Sequence, residues 1–339
     1  MLEVFMKKTY IKLISLFCAL IMMTLPLLSC TTNNDDETEA PSNLHTVTFN
    51  SNGGTPIHSV EIRDGQKVAE PTAPTRDNHI FSHWENNGRH WMFTAKSVTE
   101  DITLSAVWIP ADDLFKTEPT ENPEEILISG FKIQKSIYNL VVPKTINGKT
   151  VVGFTDNAFE SIHEEHAEHL TLPETAHSVG EKSFYNITNV HLNFLGKINN
   201  LSPSSFEDCD RLETITLGEG LTEIPFRCFF DASALVTIDI PEGVTAIRED
   251  AFASCKAMRT IVLPSTLTTV EHSAFIDSTA LSVVFFKGTP EQFDAIDISD
   301  KNEVLLDAKC YYYSETQPTE KGDFWHYDRN NTPVLWEYK

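Results

Sequence analysis

Between Ile126 and Phe286 one arrangement of apolar and polar positions recurs at nearly constant spacing. Phe159, Phe184, Phe206, Phe229, Phe252 and Phe275 follow one another at steps of 25, 22, 23, 23 and 23 residues. Leu212, Leu235, Met258 and Leu281 open the segments LETITL, LVTIDI, MRTIVL and LSVVFF, whose near-alternation of apolar and polar residues predicts strands with one face in a core. Pro241 and Pro264 follow two of these strands directly. A second apolar position, Ile224, Ile247 or Val270, then stands five residues before the next Phe. A fixed period of this length predicts stacked copies of one supersecondary unit, a solenoid over 126–290. A single repeat cannot bury its apolar face alone. Stacking buries it, with Ile215, Ile238 and Ile261 inward beside Leu217, Ile240 and Leu263, and with the Phe side chains stacked beneath the strands.

The same register sends the alternate strand residues outward, one side chain per turn, in two columns. One runs His169, His191, Thr214, Thr237, Thr260, Val283; the other runs Thr171, Asn193, Thr216, Asp239, Val262, Phe285. These twelve residues are the candidate ligand-binding face. Both columns become apolar at Val262, Val283 and Phe285, which makes that end a candidate docking patch unless a C-terminal cap covers it. The period stops after Phe286. Thr289-Pro290-Glu291-Gln292-Phe293 predicts a short helix, and Tyr311-Tyr312-Tyr313, Phe324-Trp325-His326-Tyr327 and Leu335-Trp336 follow. Every Trp in the chain lies outside the array, and a terminal repeat needs a seal for its open core, so residues 291–339 read as a cap.

Ahead of the array, residues 45–109 alternate as a small β domain. HTVTF and ITLSAVW are strand-like, and NSNGGT and Asp64-Gly65 are turn signals. Residues 110–125 are rich in Pro and acid and read as a linker. Residues 1–29 carry Lys7, Lys8 and Lys12 before an apolar run from Leu13 to Leu28, the pattern of a secretory signal. Residues 30–44 are polar and acidic and read as a disordered tether.

Four resemblances sharpen this outline. Leu27-Leu28-Ser29-Cys30 resembles the bacterial lipobox, which implies cleavage before Cys30 and lipidation of its thiol. Several acyl chains on one Cys would anchor the chain stably. The following Asp35-Asp36-Glu37 resembles a short signal that sends some bacterial lipoproteins to the outer face of the outer membrane. Val47-Thr48-Phe49, Asn52-Gly53-Gly54-Thr55, Pro71–Arg76, Phe81–Trp84 and Val98–Trp108 resemble the Listeria–Bacteroides repeat, a β-grasp-like family of spacer or docking modules. Asn78-His79 stands where that family commonly has Gly-Tyr; Asn also tolerates the left-handed conformation, so the turn is expected to survive. Asp250–Cys255 followed by Ile261-Val262-Leu263-Pro264 resembles the BspA-like leucine-rich repeat. That resemblance implies a mainly β chain with short helices, displayed on a cell surface and adhering to a protein or glycan of host matrix or other bacteria. A structural or assembly lipoprotein of the cell envelope is the alternative.

Charge and candidate chemistry change this picture little. The formal net charge of -23 argues against a nucleic-acid partner, which needs a basic stripe, and against adsorption to anionic lipid; contact with a membrane is expected through the lipid alone. Walker, dinucleotide, G-x-S-x-G and H-E-x-x-H motifs are absent from the sequence, so neither an enzyme nor a cofactor is expected. His163-Glu164-Glu165-His166-Ala167-Glu168-His169 could place two imidazoles on one helical face. The repeat register instead starts a strand at His169, which makes the segment a solvated turn and predicts no metal site. Cys209 and Cys255 each stand three residues after a ladder Phe, two turns apart. Two strand spacings of about 4.8 Å separate them by about 10 Å, beyond disulfide reach, so both are expected as buried thiols.

Overall fold

The computed structural model describes residues 43–132, 137, 139–160, 162 and 167–337. Cys30, the signal, most of the tether, and His163–His166 lie outside them. The described chain is mainly β with three short helices: Ala111–Leu114, Pro290–Asp294 and Glu303–Asp307. None of these is long and apolar enough to cross a membrane.

The first sheet has five strands in the order Val60–Arg63, Leu44–Asn50, Ile102–Pro110, His79–Asn86, Arg89–His90. Leu44–Asn50 and Ile102–Pro110 run parallel, and the other neighbours are antiparallel. Alternation points Val47, Phe49, Leu104 and Ala106 into a core built around Trp84, whose ring meets Phe49 at 5.1 Å and Phe81 at 5.3 Å. Gly54 has to be glycine, because a Cβ there would sit 2.5 Å from the Trp108 ring.

This domain is not followed by a linker. Ala111, Leu114 and Phe115 are fully buried, and Phe115–Pro119 pairs antiparallel with the first solenoid strand, Glu125–Phe131. Pro and acidic residues dominate the composition of 110–125, but its three apolar side chains are what seal the N-terminal end of the array. Ile80 and Ile109 of the first domain belong to the same core. Asn78 adopts the expected left-handed conformation (φ 60°). Its carbonyl accepts from Ala111 N at 2.9 Å, and its side chain accepts from Gly148 N at 3.1 Å. A glycine at that position could not make the second bond.

In the solenoid, two parallel sheets flank one apolar core. The face sheet contains Asn139–Val141, His169–Leu172 and His191–Phe194, then Thr237–Asp239, Thr260–Leu263, Val283–Phe286 and Lys309–Tyr313. The back sheet runs from Glu125–Phe131 through Lys149–Phe154, Ser178–Val179 and Asn200–Leu201, then from Glu223–Ile224 to Asp297–Ile298. Ile215, Ile238, Ile261, Leu217, Ile240 and Leu263 are all buried, as the alternation requires.

The Phe ladder is continuous. Successive rings from Phe159 to Phe275 stack with centroids 5.5, 5.3, 5.6, 5.3 and 5.4 Å apart. Phe184, Phe206, Phe229, Phe252 and Phe275 each sit in a turn with left-handed residues two positions before and two after, most of them short and polar, with Lys182 and Arg227 the exceptions. In the 252 turn these are Asp250 (φ 56°) and Ser254 (φ 59°); in the 206 turn they are Ser204 (φ 54°) and Asp208 (φ 59°). Short polar residues tolerate this conformation, which explains their recurrence there. Alternate N–H groups then bond to the next turn, as in Ser204 to Phe226 O, Phe206 to Cys228 O and Asp208 to Phe230 O. At the last turn the Asn302 side chain takes over, accepting from Phe275 N at 3.0 Å and donating to Glu271 O at 2.8 Å.

The thiols are free and buried at Cys209, Cys228 and Cys255, with Cys310 half-buried. They do more than fill space. Cys209 Sγ donates to Phe184 O at 3.0 Å and Cys255 Sγ to Phe229 O at 3.1 Å, and Ser278 Oγ makes the equivalent bond to Phe252 O at 2.6 Å. Burial pushes the Cys255 pKa up to about 12 and that of Cys310 up to about 11.

Candidate functional site

The strand register brings the predicted columns together over most of their length. His169 pairs with His191, Thr171 with Asn193, Thr237 with Thr260 and Thr260 with Val283, Asp239 with Val262 and Val262 with Phe285. The His169 and His191 rings stack 4.9 Å apart, and Arg211 Nη1 donates to His191 Nε2 at 3.0 Å. Thr260 Oγ1 donates to Thr237 Oγ1 at 2.8 Å. Asn193, Thr214, Thr216 and Thr237 are exposed. Pairing also extends each column beyond the predicted residues. Asn139 and Val141 precede them, and Lys309 and Tyr311 follow. The signal for these four was the register itself, carried one strand further in each direction.

Val262 and Phe285 are not on the open face. They are 1% and 9% exposed beneath Trp325, which is fully buried. Trp325 lies 5.3 Å from the Phe285 ring and donates its indole N–H to Phe286 O at 3.0 Å. Val283 packs at the edge of this cluster. The apolar end of both columns is therefore the seat of the cap, because Phe324–Tyr327 joins the sheet beyond Lys309–Tyr313 and folds its aromatic side chains over that end.

The cap also fixes Asp239. Tyr327 Oη donates to Asp239 Oδ2 at 2.5 Å, and Lys287 Nζ donates to Asp239 Oδ1 at 2.7 Å and to Ile240 O at 2.9 Å. Burial, and next the bond to Asp239, raise the Tyr327 pKa above the usual phenol value.

One turn departs from the pattern. LETITL keeps its alternation of burial but forms no ladder, and a single bridge joins Leu217 to Ile198. Ile198 N donates to Thr216 O and Gly218 N to Ile198 O, so this turn pairs four residues beyond Phe194, its counterpart by register. The back sheet is interrupted at the same level, between Asn200–Leu201 and Glu223–Ile224. A cleft of about 620 Å³ opens here, lined by Lys197, Thr216, Glu219, Asp239, Lys287 and Tyr327 among others. A smaller one of about 180 Å³ lies where Arg76 and Phe81 of the first domain meet Val141, Pro143, Pro173 and the exposed Leu195. Among the described residues, no group of three or more His, Cys, Asp or Glu side chains could hold a metal ion.

Residues 150–282 match the BspA type leucine rich repeat region in six copies, and residues 45–107 match the Listeria-Bacteroides repeat domain. Two Evansella cellulosilytica proteins, whose names describe candidate membrane proteins, are each 36% identical over 69 residues, 20% of this chain. The chain spans 10% and 8% of their lengths. Among solved structures, a leucine rich cell surface protein from Faecalibacterium prausnitzii aligns with 53% of this chain and 40% of its own, at 25% identity and a TM-score of 0.37. The pneumococcal vaccine antigen PcpA aligns with 57% of this chain and 50% of its own, at 18% identity and a TM-score of 0.41. The chain thus carries a region similar to the Listeria-Bacteroides repeat domain followed by a BspA type leucine rich repeat region.

Proposed function

We propose that this protein is a lipid-anchored surface binding protein, held through Cys30 and presenting the face of its solenoid to a protein or glycan of host matrix or neighbouring bacteria. The observation that carries this reading is the contrast between the two ends of the columns. The apolar end is sealed by the protein's own cap, while Asn193, Thr214, Thr216 and Thr237 remain exposed along the solenoid face. The match to the BspA type leucine rich repeat region supports a surface role, with the solenoid face as the binding surface.

The test uses the mature chain against immobilised host-matrix and bacterial-surface extracts. Capture is expected, and Thr214→Arg with Thr237→Arg should abolish it without lowering the thermal midpoint. Unchanged capture would remove the sheet face from the reading. Protease treatment of intact cells separates display from envelope assembly; a fully protected solenoid would overturn surface adhesion.

A further inference from the structure

We propose that the cleft at the interrupted turn is a subsite for a neutral oligosaccharide, one or two hexose units wide. The inference rests on the reading of the sheet face as a binding surface and names the ligand class of one part of it. The volume, about 620 Å³, falls within the range of small-molecule sites, about 300–1,000 Å³. Three separate parts of the chain wall it: the displaced turn with Thr216 and Glu219, the strand end at Asp239, and the cap with Tyr327.

The polar inventory of the cleft selects the ligand. Lys287 has three N–H donors and spends two, on Asp239 and Ile240 O. The Asp239 carboxylate has about four acceptor sites and uses two. The Tyr327 hydroxyl donates and keeps its lone pairs. Lys197 and Glu219 make no ion pair or side-chain hydrogen bond. Fixed donors and fixed acceptors with spare capacity therefore stand side by side. A sugar hydroxyl, which donates and accepts at once, satisfies both kinds; a phosphate or a polycation satisfies one and meets like charge from the other. The lining carries two ammonium groups, Lys197 and Lys287, against three carboxylates, Glu219, Asp239 and Glu242, which disfavours a sialylated or sulfated ligand. The network on Asp239 is already assembled, so a ligand does not have to order it. Pro241, half-buried at the cleft, supplies an apolar edge for the C–H face of a pyranose ring.

The test titrates the mature chain with methyl α-mannoside, lactose, cellobiose and chitobiose, with sialyllactose as the anionic control, by saturation-transfer NMR and calorimetry. At least one neutral saccharide is expected to bind, about tenfold more weakly in Thr216→Arg, an exposed position at the cleft. Lys197→Glu, also exposed, should weaken it in the same direction with the thermal midpoint unchanged. Binding of none of the neutral saccharides, preference for sialyllactose, or affinity unaltered by both substitutions would overturn the proposal. Extract capture that persists without saccharide binding would overturn the cleft assignment alone and leave the binding face standing.

Discussion

At the level of residues 201–223 the Phe-bearing turns and the two sheets part company. The rings of Phe184, Phe206 and Phe229 stack at 5.3 and 5.6 Å with planes within 2° of parallel, and the backbone bonds between their turns continue. Both sheets, in contrast, are interrupted there. The difference lies in what sets each register. The Phe turn is fixed within itself, by left-handed residues on both sides of a buried ring. Strand pairing depends on how the chain leaves the strand. Pro173, Pro241 and Pro264 stand directly after well-paired strands, and a proline fixes φ there. The corresponding residues on either side of the break are Leu195 and Gly218; Lys287 follows a fully paired strand, so a proline favours pairing there without being required for it. A repeat array can therefore lose its sheets for one turn without losing its core.

The comparison can be broken most forcefully at the ring that spans the break. Phe206→Ala should cost about 3–5 kcal/mol, the usual penalty for an emptied aromatic site, and should split urea unfolding into two transitions. Phe252→Ala, flanked by intact sheets, should cost a similar amount and keep one transition. Identical single transitions in both variants would show that the turns are not what joins the halves. Hydrogen exchange gives the next largest contrast: amides of Thr214 and Ile215 should exchange at least about tenfold faster than those of Thr260–Leu263, since exchange follows local opening. Equal protection would mean that the displaced turn is as firmly held as its neighbours.

Alkaline pH sharpens the cap side of the comparison. The Tyr327 pKa is raised in the folded state, so the unfolded chain releases that proton first, near pH 10. The associated stability is fully present below about pH 10 and is lost as pH rises above it. Denaturation midpoints should fall faster above pH 10 in the native sequence than in Tyr327→Phe; parallel profiles would refute the role of this phenol. The smallest effect belongs to the thiols. Cys255→Ser should stay within about 0.5 kcal/mol, because Ser278 already makes the same bond one turn later, whereas Cys255→Ala should lose about 1 kcal/mol. Equal costs would reduce Cys255 to a filler.

Much of this was legible in the sequence because a repeat reports its own register. The Phe spacing placed the ladder, the inward Ile and Leu residues, and the column order, down to the pairing of His169 with His191. What escaped was set by contacts between units. Ala111, Leu114 and Phe115 are three apolar residues in an acidic stretch, too few for any periodicity, and only the open end of the solenoid gives them a place. Val262 and Phe285 belong to the outward register, and only the fold of Trp325 shows that outward is not exposed. The hydrogen bonds of Cys209 and Cys255 could have been inferred from Ser278, which stands at the same step after its Phe.

The two outermost strands of the solenoid carry a consequence for assembly. Phe115–Pro119 and Pro333–Leu335 are both antiparallel to their neighbours and both contain a proline, opposite Ile126 and Tyr327. A parallel array ending in an open strand is a template on which a second copy can add, and then a third. Reversing the last strand and removing one of its donors spoils that template at the N-terminal edge of the back sheet and the C-terminal edge of the face sheet. At these two edges, one on each sheet, a second copy finds no matching parallel strand on which to add.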